Sequence, residues 1–188
     1  MGSLGRKAEK QNAERMSDIS FKMMTFLFRV IDFIYPHIKK RVKGFGVQEG
    51  MTVVDYGCGP GRYATVFADF VGEEGKVYAI DIHELAIEAV KKRIEKHNLR
   101  NIEPVLAEGY NSGLPDNIAD MVCAIDMFFG IRNPTEFLKE LKRITKSGGV
   151  LVIDQGHQPR SVAKEKIVGS GCWDIFEESK DHMKCRPR

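Results

Sequence analysis

The run Val53-Val54-Asp55-Tyr56-Gly57-Cys58-Gly59-Pro60-Gly61-Arg62 constrains the fold more than any other stretch. Two β-branched residues lead into glycines at alternate positions. Behind them, apolar residues recur at Ala64, Phe67, Ala68 and Val71, a helical period. The stretch therefore reads as buried strand, tight loop, helix. Glycine lets the backbone turn sharply and lets a ligand approach it closely. The helix start behind the loop presents unpaired N–H groups. A dinucleotide loop needs G-x-G-x-x-G, but Arg62 stands where the third dinucleotide glycine belongs. The Gly-Lys-Ser/Thr ending of a P-loop is absent. Asp55, just before the glycines, would repel a phosphate but suits an ammonium. The loop thus favours a nucleoside carrying an amino-acid tail.

The D-x-G-C-G-x-G pattern resembles motif I of the class I S-adenosylmethionine (SAM) dependent methyltransferases, and the similarity runs from about residue 47 to residue 184. It implies an α/β fold: a doubly wound, Rossmann-like, seven-stranded and mostly parallel sheet closed by a C-terminal antiparallel hairpin. It implies SAM as methyl donor and S-adenosylhomocysteine as product. On this resemblance Asp55, Gly57, Cys58, Gly59 and Gly61 contact the cofactor, with Asp55 at its amino-acid tail.

The rest of the chain follows the same plan. Residues 76–80 read as a second strand ending in Asp81-Ile82. An acid at that strand end is placed to accept both ribose hydroxyls, and Ile82 is assigned to the same site. A strand over 101–106 precedes Glu108-Gly109, where the family usually has Asp-Ala; by resemblance Glu108 or the backbone of Gly109 meets the adenine amino group. An apolar strand over 121–125 runs into Asp126-Met127-Phe128-Phe129. Its carboxyl end is expected beside the glycine loop at the topological switch point. Asp126 is therefore a candidate for both cofactor contact and catalysis. The D/N-P-P-Y/F sequence of base-modifying amino-methyltransferases is missing here, which disfavours methylation of bases in nucleic acid. Asn133-Pro134-Thr135-Glu136 is a helix start with cap, proline and capping-box Glu. That helix is expected to end over 146–149. The K-x-G-G-x-L-x-I-x run resembles the last shared motif of the family; it continues as a strand over 150–153 that ends in Asp154. His157 follows on the active-site edge and is the general-base candidate, because an imidazole titrates near neutrality. Strands over 173–177 and 182–185 form the closing hairpin.

The N-terminal region stands apart. Over 18–38, Phe21, Met24, Phe28, Ile31 and Tyr35 form one helical stripe, and Met23, Leu27, Val30, Ile34 and Ile38 form another. Such a helix needs cover over most of its circumference. Three readings stand: a core-packing helix, a lid over the active site, or a membrane-surface anchor flanked by Lys39-Lys40-Arg41. Charges and Pro36 argue against a transmembrane span. Residues 1–43 carry ten Lys/Arg against four Asp/Glu, while the rest carries nineteen against twenty-two, so the positive charge sits in the N-terminal arm. The expected organisation is a flexible basic arm over 1–17 and a single minimal catalytic domain over 18–188, with 18–43 as its helical lid. Cys58, Cys123, Cys172 and Cys185 form no C-x-x-C pair, so neither a disulfide framework nor a metal site is expected, and reduced thiols fit a cytoplasmic protein.

The acceptor is expected between the N-terminal helix and the loops at 126–132 and 154–160, near Arg29, Arg132 and Arg160. These surroundings predict methyl transfer to a small, lipophilic molecule by a monomer or homodimer, with peripheral membrane contact allowed and no specific nucleic-acid partner. Two alternatives remain: a methyltransferase acting on protein or RNA, supported by the basic arm, and a non-catalytic SAM-binding regulatory domain.

Overall fold

Residues 53 and 54 lie at the centre of a sheet that is covered on both sides, which is why the strands around them are apolar without alternation. A computed structural model describes residues 15–34 and 37–188. Two helices, α1 (Asp18–Ile34) and α2 (His37–Phe45), precede β1 (Thr52–Tyr56), α3 (Arg62–Val71), β2 (Lys76–Asp81), α4 (Glu84–His97) and β3 (Ile102–Leu106). Then come β4 (Ala119–Ala124), a 3-10 turn at Phe128–Gly130, α5 (Pro134–Ile144), β5 (Thr145–Ile153), α6 (Arg160–Gly169), β6 (Trp173–Glu178) and β7 (Met183–Pro187).

The seven strands form one sheet in the order β3-β2-β1-β4-β5-β7-β6. The first five are parallel to their neighbours, and β7 runs antiparallel to both β5 and β6. This is the expected doubly wound sheet with its antiparallel hairpin. Strand order reverses between β1 and β4, so a crevice opens where their carboxyl ends diverge. One face of the sheet is covered by α2 and α3, through Val42, Phe45, Phe67 and Val71. The other is covered by α5 and α6, through Phe137, Leu138, Leu141 and Ile167, with Trp173 beneath. The indole of Trp173 is fully buried and its Nε1 donates to the Leu138 carbonyl at 3.0 Å, so its single polar atom is satisfied. Pro104 sits in the edge strand β3, where its missing N–H costs least.

Two boundaries differ from expectation. The apolar N-terminal stretch is two helices rather than one: α1 ends at Ile34 and α2 begins at His37, while Tyr35 and Pro36 lie outside the described residues, as do residues 1–14 of the arm. The α5 helix stops at Ile144, earlier than the glycines suggest. There the Thr145 hydroxyl donates to the Leu141 carbonyl at 2.6 Å, and Thr145 already pairs with Ala119 in the sheet. The residues between Thr145 and Val150 make a register shift within β5 instead of ending a helix. The cap of α5 is as expected, with Asn133 Oδ1 accepting the Glu136 N–H at 3.2 Å and Pro134 in the first turn.

Candidate active site

The glycine loop turns between β1 and α3 through three left-handed glycines, Gly57 (φ 76°), Gly59 (φ 51°) and Gly61 (φ 77°). At Gly57 a Cβ would meet Met127 at 3.0 Å, and at Gly59 it would project into open space along the cavity. The loop is tied to β2 by the Gly57 and Cys58 N–H groups, which donate to the Ile80 carbonyl at 2.8 and 2.9 Å. Beside it, Asp81 is held by two backbone donors: Gly59 N–H to Oδ2 and His83 N–H to Oδ1, both at 2.9 Å. Burial pushes the Asp81 carboxyl up, and those two N–H groups pull it back. Each of its oxygens keeps a further lone pair, and the residue lines the cavity. The cap of α4 is therefore His83, whose Nδ1 accepts the Leu85 N–H at 3.2 Å, and Asp81 is left for the site.

The far end of the cavity is built on Asp126, a non-glycine residue held in the left-handed region at φ 59°. Its N–H donates to Asp154 Oδ1 at 3.0 Å. One guanidinium gathers the surrounding acids. Arg41, from α2, donates to Asp154 Oδ2 at 2.6 Å, to the Tyr63 hydroxyl at 2.6 Å and to Asp126 at 3.3 Å, and it faces Asp181 Oδ2 at 3.3 Å. It also donates to the Asp181 carbonyl at 3.0 Å, which ties α2 to the turn between β6 and β7. Burial raises the Asp154 carboxyl to about 6, helped by the charge of Asp126 and opposed by Arg41. The side chain of Asp154 is only 3% exposed, so among the described residues it depends on Arg41 for its counter-charge.

Between these ends lies a cavity of about 340 Å³. Gly57, Cys58, Gly59, Asp81, Ile82, His83, Gly109 and Asp126 line it on the sheet side. Met127, Phe129 and Ile131 follow from the switch-point loop, and Phe21, Met24 and Phe28 of α1 close the opposite side. The Arg62 guanidinium lies 4.0 Å from the centroid of the Phe28 ring, and Phe21 packs on His83 at 4.6 Å, so α1 is docked on the loop itself.

A family model described as a methyltransferase domain matches residues 47–185. The chain belongs to the class I SAM-dependent methyltransferase family. Demethylmenaquinone methyltransferase of Geobacillus stearothermophilus is 32% identical over 129 residues, 65% of this chain and 54% of that protein. The enzyme of the same name from Staphylococcus aureus is 31% identical over 158 residues, 81% of this chain and 64% of that one. The chain thus spans between half and two thirds of the length of these relatives. A SAM-dependent methyltransferase from Aquifex aeolicus superposes with a TM-score of 0.73 at 28% identity, covering 92% of this chain and 98% of that one.

The cofactor of this methyltransferase chain is SAM, and the residues present fit it. Gly59 offers open space where a side chain would fill the cradle, and Asp81 is preset by backbone donors with lone pairs to spare. The lining has donors and acceptors on the sheet side and apolar groups elsewhere. Among the described residues no group of three or more His, Cys, Asp or Glu side chains is placed to hold a metal ion.

Several expected site residues sit elsewhere. Asp55 is 2% exposed beneath the loop and is not in the lining; burial pushes its carboxyl up to about 7, and its Oδ2 has no hydrogen-bond partner. Glu108 is exposed and outside the lining, whereas Gly109 is in it, so of that pair the glycine faces the cavity. Gly61 caps α3 behind the lining, its Cβ direction filled by Val90 at 3.0 Å. His157 is exposed and one ring removed from the cavity: it packs edge-on to Phe129 at 4.8 Å. Phe128 is fully buried in the core while Phe129 lines the cavity, so the two aromatics divide. Arg160 donates to the Ser179 and Lys180 carbonyls and braces the closing hairpin rather than the cavity. The side chain of Arg29 lies outside the described residues. Arg41, read from the sequence as a flanking surface cation, is the residue that the sequence did not mark: its side chain is 14% exposed and holds the acids at the far end of the cavity. The available signal was two aspartates ending neighbouring parallel strands, which need a cation between them.

Proposed function

We propose that this methyltransferase transfers the methyl group of SAM to a small, apolar acceptor whose reacting group lies beside Asp126. The observation that carries this reading is the division of one cavity. Its sheet side has the glycine loop and Asp81, and most of the remaining wall is Phe21, Met24, Phe28, Met127, Phe129 and Ile131. The named activity of the bacterial relatives, methylation of demethylmenaquinone, supports an apolar ring as acceptor. In this reading α1 acts as the lid.

When bound, SAM supplies a methyl group on a sulfonium, and its departure leaves a neutral thioether. The protein then has to align and dehydrate the reactants rather than attack them. Asp81 accepts hydrogen bonds from the ribose hydroxyls. Gly57, Cys58 and Gly59 let the backbone approach the amino-acid portion, Ile82 and Gly109 border the base, and Asp126 faces the reacting end. Cys58 is no nucleophile, since burial pushes its thiol well up. The Asp126 carboxylate takes the proton that an acceptor hydroxyl gives up. Arg41 holds that carboxylate in place, and Asp126, which lines the cavity, fills this role rather than His157, which packs behind Phe129.

The test is an acceptor screen with methyl-labelled SAM. Label is expected in an organic-extractable product formed from hydroquinone-type acceptors, and it should fall when Asp126 becomes Asn. Label appearing only in RNA or protein, or in no acceptor class, contradicts the proposal.

A further inference from the structure

The α1 helix is apolar on two opposite sides. Phe21, Met24 and Phe28 point into the cavity. On the other side Ile19 is 81% exposed, Met23 70%, Phe26 70% and Leu27 55%. At 3.6 residues per turn these four positions share one face. A contiguous ridge of this kind marks an interaction surface. The charges around it point to its partner. Lys22 is exposed next to the ridge, and Lys92 of α4 lines the same groove together with Phe26, Leu85 and Glu88. Further along the chain, Lys39, Lys40 and Lys43 are exposed on α2. Of the acids beside the ridge, Asp18 and Glu84 share Arg15 at 3.0 and 2.8 Å, and Glu88 is exposed.

We propose that the outer face of α1 docks on an anionic lipid bilayer, with the ridge in the acyl boundary and the lysines at the headgroups. A second copy is the poorer occupant. Residues 1–43 carry ten Lys/Arg against four Asp/Glu, so two copies associating through this segment would bring like net charge together. No helix among the described residues is long and apolar enough to cross a membrane, so the contact is peripheral. The same helix forms a wall of the cavity, so docking sets that wall against the phase in which an apolar acceptor dissolves. This last link rests on the acceptor reading above; the docking itself does not.

The test is flotation of the full chain with phosphatidylglycerol–phosphatidylcholine vesicles and with pure phosphatidylcholine vesicles, with light scattering and SAM titration alongside. The wild type is expected to bind the anionic vesicles at least about tenfold more tightly than the neutral ones. The variant Met23→Ser, Phe26→Ser, Leu27→Ser should bind them at least about tenfold more weakly, with SAM affinity retained. A charge variant, Lys22→Gln with Lys92→Gln, should weaken anionic binding alone. If the serine variant loses SAM affinity, Phe26→Ser and the charge variant decide. A folded, SAM-binding wild type that ignores both vesicles overturns the proposal, as does unchanged vesicle affinity in the deciding variants. A dimer that dissociates on ridge substitution, with no vesicle binding, assigns the face to a second copy instead. Vesicle binding without methyl transfer to any apolar acceptor sinks the acceptor reading and leaves docking standing.

Discussion

The two ends of the cavity are built in opposite ways. The proposed donor end comes from one short stretch of chain, the β1 loop and the end of β2, and backbone N–H groups fix its acid: Gly59 and His83 hold Asp81. The proposed acceptor end is gathered from four separated places, with Arg41 of α2, Tyr63 of α3, Asp126 after β4 and Asp154 after β5 meeting around one guanidinium. A backbone-fixed acid tolerates changes elsewhere, because its donors belong to the fold. A side-chain cluster with a single cation does not. The ends should therefore fail differently.

The largest effect is expected at the acceptor end. Removing the cation in Arg41→Ala leaves Asp154 buried beside Asp126, a loss of about 3–5 kcal/mol. Because burial already holds Asp154 at about 6, protonation relieves that loss in acid, so urea unfolding should show a smaller penalty near pH 5 than near pH 8. Equal penalties at both pH values would show that the arginine acts through packing alone.

Next in size is Asp55, under the donor loop. Its folded-state pKa of about 7 lies above the ordinary 3.8, so the folded protein holds the extra proton between those values. Stability should accordingly fall as pH rises through that window, and Asp154 adds a fall of the same sign at its lower end. Asp55→Asn removes the larger part, so it should gain on the order of 4 kcal/mol over wild type between about pH 4 and pH 8. Parallel stability–pH curves for the two proteins would contradict this.

Gly57→Ala comes third. It forces a side chain into φ 76° with Met127 at 3.0 Å, at a cost of about 1–3 kcal/mol. The melting temperature should drop and SAM binding weaken together, whereas a change in acceptor KM alone would move this glycine to the other end. The smallest effect is expected for Phe28→Ala. It loses the Arg62 stack, worth about 0.5–1 kcal/mol, and should raise the KM for an apolar acceptor more than it weakens SAM.

The same contrast explains what the sequence disclosed. The turn of the glycine loop, the position of Asp81 at the end of β2 and the α5 cap were legible because each depends on residues close together in the chain, whereas the seven-stranded sheet was implied by the family resemblance. Asp126 was legible as a strand end. Arg41 was not, because nothing local separates it from Lys39 and Lys40; only the juxtaposition of two strand-end aspartates sets it apart. The side-chain directions of Glu108 and Asp55 were not legible for a related reason. A motif fixes which residue occurs, not whether its side chain faces the cavity or the layer beneath. The division between Phe128 and Phe129 also depends on the 3-10 turn, which two adjacent aromatics do not announce.

The central claim is that this cavity holds SAM with Asp81 at its donor end. Calorimetric titration of SAM and S-adenosylhomocysteine into the wild type and Asp81→Ala tests it most directly. Binding on the order of micromolar is expected for the wild type. Asp81→Ala, folded as judged by its unfolding transition, should bind at least about tenfold more weakly, a loss of roughly 1.4 kcal/mol or more. A folded wild type that binds neither compound, or an Asp81→Ala variant that binds both as the wild type does, would contradict it.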